Sequence, residues 1–427
     1  MCGRRKFWAD ECGGHIKTGN QDDQVTEARQ RRRIEMKTVT FNLAGIQLIA
    51  GEGALSGLKE ETERLGVKKP LIVTDKGVKA AGIIETAAGC LEESGTDYEI
   101  YDGIRTDPLD TMVKEGLEVY RESGCDGILS IGGGSSMDVG KCISVMSVHP
   151  GDILDYARST SEHKDFQRRG CPIISVPTTS GTGSEVSQYA VITNALTHRK
   201  TTIASPYLLS DTAILEPAFA GSMPKEVTAY TGMDALAHAV EAYTFRTALN
   251  GTIPIVDAAA LEAIRLIGQN LVRAYENGRD LKARAGMQWG SLLAGIALNI
   301  GSGETHAIGS MLAKYYGVCH GISVGIPLPY CMEYNLSYGY ERFFSIAEAL
   351  GADTSGLSVK EGAMAAVKKV KELQEQIQFP KMADYLRDME EVRKFSQECA
   401  DNSCCVSNRR MDTKEAVEQV FRMCMEG

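Results

Sequence analysis

Between residues 38 and 216 short apolar runs alternate with amphipathic stretches, and this alternation constrains the fold more than any other feature of the chain. A strand followed by a helix and another strand favours parallel pairing, because the crossover helix returns the chain to the same end of the sheet. Four runs carry the strand pattern: "PLIVTD" at 70–75, "DYEIYD" at 97–102, "GILSIGGG" at 127–134 and "PIISVPTT" at 172–179. Between them, "AGIIETAAGCLEESG" and "MVKEGLEVYRESG" have helical spacing and close on Gly95 and Gly124, glycine being a common helix stop. The expectation is a mostly parallel sheet with helices on both faces. After Pro217 the stretches "PKEVTAYTGMDALAHAVEAYTF", "VDAAALEAIRLIGQNLVRAYENG" and "KARAGMQWGSLLAGIALNIG" are helical in period. The chain is therefore expected to have an α/β domain over 36–216 and an all-α domain over 217–427.

A length of 427 residues, 43% of them hydrophobic, fits two soluble domains. The formal net charge of -10 argues against a nucleic-acid binder, which carries clustered basic charge. No apolar run approaches the about 18 residues that cross a bilayer, and the N-terminus lacks the apolar core of a secretory signal. The twelve cysteines are scattered without a Cys-x-x-Cys pair, so free thiols and a cytoplasmic location are expected. Residues 1–35, ending in Gln30 and the run Arg31 to Arg33, show no apolar periodicity. They are expected to be a disordered extension, with Met36 as an alternative start.

At Gly132-Gly133-Gly134-Ser135-Ser136 a strand runs into three glycines and a helix. Such a junction turns backbone N–H groups and a helix dipole toward an anion. It is not a P-loop: Gly134 to Gly140 encloses five residues rather than four, and Cys142 stands where the magnesium-binding hydroxyl would be. Nor is it the dinucleotide fingerprint, because after Gly132 and Gly134 its last glycine would fall on Met137. Alone the triplet reads equally as a tight turn. A second glycine- and hydroxyl-rich loop, "SVPTTSGTGSEVSQYAVITN" at 175–194, also follows a strand. Two such loops at the carboxyl ends of parallel strands favour a ligand, since open α/β sheets bind there.

Only three histidines follow residue 200: His238, His306 and His320. Asp234 and His238 are four apart in a helical stretch and so share a face. Gly317 suggests a helix stop after His306, letting the chain turn and bring His320 back. Taken singly, each histidine reads as well as a satisfied core or surface group. Glu241 is either a supporting group behind a ligand or a plain helix-face charge.

In this order, "IGGGSSMDVGK", "PTTSGTGSEVS", "TGMDALAHAVEAY" and "HAIGSMLAKYYGVCHGISVGIPLPYCMEYN" closely resemble the iron-containing (group III) alcohol dehydrogenases. The resemblance implies an α/β nucleotide-binding domain, a helical domain of dehydroquinate synthase-like architecture, and a cofactor cleft above a divalent metal. It assigns the metal to Asp234, His238, His306 and His320. The pyrophosphate loop falls on Gly132, Gly133, Gly134, Ser135 and Asp138. A second cofactor loop falls on Thr178, Thr179 and Ser187, with Lys200 near the cofactor ribose. Asp75 matches the position facing the adenosine ribose, where a carboxylate favours NAD over NADP.

The departures are local. Ser310 stands where the family has a second histidine of the third motif, near the nicotinamide; a hydroxyl can pass a proton but cannot buffer near neutral pH. Cys319 replaces a proline, Asp107 an asparagine, and Glu304 a commonly apolar residue. The implied reaction interconverts a primary alcohol and its aldehyde by hydride transfer, with catalytic roles at His306, His320 and Ser310. Fe(II) is the implied metal, Zn(II) and Ni(II) fitting the same ligands. The implied assembly is a homodimer or larger homo-oligomer. The alternatives are a polyol dehydrogenase of the glycerol dehydrogenase type, a dehydroquinate synthase-like relative, and a non-catalytic nucleotide-binding relative.

Overall fold

Nine strands are described: β1 (Val39–Leu43), β2 (Ile46–Ala50), β3 (Pro70–Asp75), β4 (Glu99–Ile104), β5 (Gly127–Gly132), β6 (Ile173–Pro177), β7 (Tyr189–Thr193), β8 (Lys200–Ala204) and β9 (Thr212–Leu215). The structure is a computed structural model that describes residues 39–43, 45–157, 163–244, 253–406 and 411–427. The expected extension, including Arg31 to Arg33 and Met36, lies outside the described residues. Seven strands form one sheet in the order β1-β2-β9-β6-β5-β3-β4. β1 and β2 make an antiparallel hairpin at its edge, and the six strands from β2 to β4 are parallel.

Among the longer helices of this part are α1 (Leu58–Leu65), α2 (Ile83–Glu93), α3 (Asp110–Glu122) and α4 (Gly134–Met146). Alternate strand residues point to opposite faces. Leu71 and Val73 of β3 therefore join a core with Met112 and Val113 of α3 and Val139 and Ile143 of α4. Ile72 joins the opposite core with Ile83, Ala87 and Leu91 of α2. The expected two-sided parallel sheet is thus present.

Two boundaries and one element differ from the sequence reading. β4 starts at Glu99, because the pairing of Leu71 with Glu99 sets where the strand begins. β5 stops at Gly132 and α4 starts at Gly134, so the glycines are the turn itself. The second glycine loop leads into a separate antiparallel hairpin, β7-β8, which its hydroxyl-rich sequence concealed.

β3 is flanked by β4 on one side and β5 on the other. Sheet growth reverses there, and the crevice outside the carboxyl ends of β3 and β5 is the natural ligand seat of such a sheet. Asp75 ends β3 and Gly132 ends β5.

From Pro217 onward every element among the described residues is helical. The longer helices begin with α5 (Lys225–Thr244), α6 (Pro254–Glu276), α7 (Leu281–Leu298) and α8 (Glu304–Tyr316), followed by the short α9 (His320–Gly325). α5 packs against α6, α7 and α9 and is buried without a break from Gly232 to Thr244. A helix buried on all sides has no reason to carry charge unless the charge is paired. Asp234, His238 and Glu241 nevertheless sit on it at successive turns.

Candidate metal and cofactor site

Asp234 is the centre of the site. Its carboxylate oxygen Oδ1 lies 3.7 Å from His238 Nε2, 3.6 Å from His306 Nε2 and 3.5 Å from His320 Nε2. The rings crowd together, with centroids 4.6 Å apart for His238 and His306 and 5.6 Å for His306 and His320. Asp234, His306 and His320 form the tightest set, their ligand atoms all within 4.8 Å of one another. His238 lies outside that mutual limit and joins through Asp234.

Local folding explains the convergence. Gly317, at φ 64, ends α8 by donating its N–H to Ala313 and Leu312 carbonyls, the left-handed stop expected from the sequence. His320 then opens α9, which lies so close to α5 that a Cβ on Gly321 would sit 2.4 Å from the Tyr230 carbonyl oxygen. Tyr230 is one turn before Asp234, so this contact places His320 over the carboxylate.

Asp234 Oδ1 and His306 Nε2 are buried without a hydrogen-bond partner, as is His238 Nδ1. Buried polar atoms are nearly always paired. Two unpaired atoms aimed at each other's neighbourhood, in an oxygen-and-imidazole set, fit a divalent cation. Glu241 is not a surface charge: it is fully buried and accepts hydrogen bonds from His306 Nδ1 at 2.6 Å, the Gly303 N–H at 2.7 Å and the His306 N–H at 3.2 Å. A carboxylate behind a ligand histidine fixes the tautomer and turns Nε2 toward the metal.

Burial by itself would raise the Asp234 carboxyl, but the three imidazoles hold it well below the usual carboxylate range. Burial would also lower His306, yet Glu241 and Asp234 outweigh it and push the imidazole up to about 10. Burial lowers His238, against the pull of Asp234. It lowers His320 as well, although 40% of that side chain is exposed and water offsets part of the effect. A cation needs its ligand imidazoles neutral, which burial favours at His238 and His320 and the two carboxylates oppose at His306.

The two glycine loops come together beside this cluster. A Cβ on Gly134 would lie 2.6 Å from Thr182, and Gly133 approaches Thr179. Thr178 donates its N–H to the Gly132 carbonyl at 2.9 Å. Ser135 stands half-buried on the first turn of α4, whose N-terminal amides make an anion seat. Asp75 Oδ1 caps the next short helix through Gly77 and Val78, and a Cβ on Gly132 would lie 3.5 Å from its Oδ2. The strand-end and ligand-facing readings of Asp75 are thus compatible. Gly181 packs on Thr231 of α5, one turn before Asp234.

Of the other expected cofactor residues, Asp138 and Ser187 face inward. Asp138 accepts from Ser184 Oγ at 2.6 Å and from the Val191 N–H at 2.8 Å. Ser187 is buried beside Lys141. Lys200 pairs with Asp107 at 2.6 Å and its charge is felt at His320. Ser310 donates its hydroxyl to the His306 carbonyl at 2.8 Å, a local bond open to any serine in a helix. Lys141 has no role in the sequence reading beyond closing the motif "IGGGSSMDVGK". No helix of the described residues is long and apolar enough to cross a membrane.

Known proteins match along most of the chain. The family profile "Iron-containing alcohol dehydrogenase" matches residues 46–217, and "Fe-containing alcohol dehydrogenase family, C-terminal" matches 228–425. A choline dehydrogenase of Bacillus subtilis (strain 168) is 36% identical over 88% of this chain and 92% of its own. An NAD-dependent methanol dehydrogenase of Bacillus methanolicus is 34% identical over 88% and 97%. A solved 1,3-propanediol oxidoreductase superposes with a TM-score of 0.83 at 35% identity, covering 91% of this chain and 99% of that one. With sheet, helical part, motif order and relatives all in agreement, the chain belongs to the iron-containing alcohol dehydrogenase family, a family of oxidoreductases acting on alcohols and aldehydes.

Proposed function

We propose that the chain interconverts a primary alcohol and its aldehyde, using NAD and one divalent cation held by Asp234, His238, His306 and His320. The observation that carries this reading is the convergence of one carboxylate oxygen and three imidazole nitrogens, two of the four atoms buried and unpaired, beside the glycine loops. A cation there supplies a Lewis acid that polarises an alcohol or carbonyl oxygen. The chain's own part is to hold and orient. Glu241 fixes His306, and the exposed portion of His320 marks the side from which substrate enters. Gly132, Gly133, Gly134, Ser135 and Thr179 offer backbone and hydroxyl groups to a pyrophosphate. Thr178, Asp138 and Ser187 shape the loops, and Lys200 sits nearer the ribose. Asp75 keeps Oδ2 for a ribose hydroxyl and repels a 2′-phosphate, which supports NAD over NADP.

Three further assignments go with this reading. Fe(II) is the metal we assign on family grounds, since the ligand types suit Zn(II) and Ni(II) equally. Residues 36–216 carry the cofactor and 217–427 the metal, in a homodimer or larger homo-oligomer. We place the protein in the cytoplasm, where the free thiols of its described cysteines are at home. Primary alcohols are chosen because choline, methanol and 1,3-propanediol, the compounds naming the three relatives, all carry a terminal hydroxyl. Ser310 adds no group that buffers near neutral pH, so the alcohol proton leaves through water or cofactor hydroxyls.

The test is consumption of NADH by the purified protein with a panel of short aldehydes, followed by its near-ultraviolet absorbance. Turnover is expected to stop on chelation and return with Fe(II). Turnover that survives complete chelation contradicts the proposal.

A further inference from the structure

Lys141 is fully buried, a rare state for a lysine unless its charge is paired. Its nearest carboxylate oxygen, Asp138 Oδ1, is 3.8 Å away. The ammonium instead donates to Ser184 Oγ at 2.6 Å, the Tyr189 carbonyl at 2.9 Å and the Ser187 carbonyl at 3.0 Å, with Ser187 Oγ at 3.3 Å. Three ammonium protons thus meet acceptors on one short segment, 184–189. Asp138, one turn earlier on α4, grips the same segment through Ser184 and reaches on to Val191. From the other side Asn299, at the end of α7, holds it too: Oδ1 accepts the Gln188 N–H at 2.9 Å and Nδ2 donates to the Val186 carbonyl at 3.0 Å.

α4 is also the helix whose N-terminus forms the phosphate seat. Its first residue, Gly134, touches Thr182, two residues before the gripped segment. Burying a charged pair is costly: burial lowers Lys141 and raises Asp138, each opposed by the other. Hydrophobic residues in place of both Lys141 and Asp138 would fill the space without that cost. The ammonium's distinctive contribution is direction, because its three bonds fix where the second loop lies relative to the first.

We propose that Lys141 is a positioning residue for the dinucleotide, pinning segment 184–189 to α4 so that the two glycine loops keep the spacing a pyrophosphate and nicotinamide require. The inference rests on the reading of these loops as the NAD seat. It assigns Lys141 no contact with cofactor or substrate.

The experiment uses the Fe(II)-loaded full chain and NADH as the probe. Lys141→Met is expected to weaken NADH binding at least about tenfold, the scale of lost bonds to a charged donor. Iron content should stay stoichiometric, and KM for NAD should rise far more than kcat falls at saturating NAD. Ser184→Ala, which leaves no bare buried charge, is expected to give a smaller loss in the same direction. It decides the matter if Lys141→Met does not fold. An unchanged NADH affinity in a folded variant overturns the proposal. So does simultaneous loss of iron, which marks general damage rather than positioning. Failure of the wild-type protein to bind NADH overturns the cofactor reading itself, and this inference with it.

Discussion

Replacing His306 with alanine is expected to remove bound metal and lower turnover at least about a thousandfold, because a cation supplies several kcal/mol of charge stabilisation in such a reaction. Of the four proposed ligands, His306 is the one held from the most sides. Its Nε2 faces Asp234 Oδ1 at 3.6 Å, its ring stacks on His238, and its Nδ1 is tied to Glu241. The substitution also strands the buried Glu241 carboxylate, which keeps the Gly303 N–H but loses its imidazole. Metal analysis by mass spectrometry, beside NADH-linked turnover and a far-ultraviolet circular dichroism check, reads the outcome. Metal retained at one ion per chain in the folded variant would count against His306 as a ligand.

Gly183→Ala is expected to damage the cofactor seat and the fold together. Gly183 has φ 58, and a Cβ there would lie 2.4 Å from the Cα of Gly295 on α7. The left-handed backbone angle costs an alanine about 1–2 kcal/mol. The backbone clash adds about 1–3 kcal/mol by the scale of overpacked cores. Since the clashing atom is main chain, side-chain rotation does not relieve it. The second glycine loop must move away from α7, carrying Thr182 away from Gly134. A melting temperature lowered by several degrees and an NADH affinity reduced at least about tenfold are expected, given the bonds the displaced segment makes. Scanning calorimetry and NADH fluorescence titration check both. A variant with wild-type stability and affinity would show that this contact does not set the loop.

Both substitutions concern positions that differ in how well the sequence announces them. The four residues that converge were legible as a proposed metal site because Asp234 and His238 have helical spacing and the ordered motifs supplied His306 and His320. The parallel sheet was legible because strand and helix periods differ so plainly between residues 38 and 216. Glu241 was ambiguous for a physical reason. Periodicity gives the face of a helix but not its depth, and α5 proved to be buried on every side. Lys141 escaped because a lysine in a helix ordinarily faces water, and its acceptors lie 43 to 48 residues further along the chain. The β7-β8 hairpin escaped because its strands are short and hydroxyl-bearing, and its pairing is visible only once the chain has folded. Ser310 was recognised as a departure, but its bond to the His306 carbonyl is one of several options open to a helical serine.

The central claim is that Asp234, His238, His306 and His320 surround one cation. Anomalous diffraction from crystals grown with Fe(II) under anaerobic conditions, collected on both sides of the iron edge, tests it most directly. The expected result is a single iron peak about 2 Å from Asp234 Oδ1 and from the Nε2 atoms of all three histidines, the scale of a divalent metal's bonds to such ligands. A peak elsewhere, or no peak at this cluster from fully loaded protein, would contradict it.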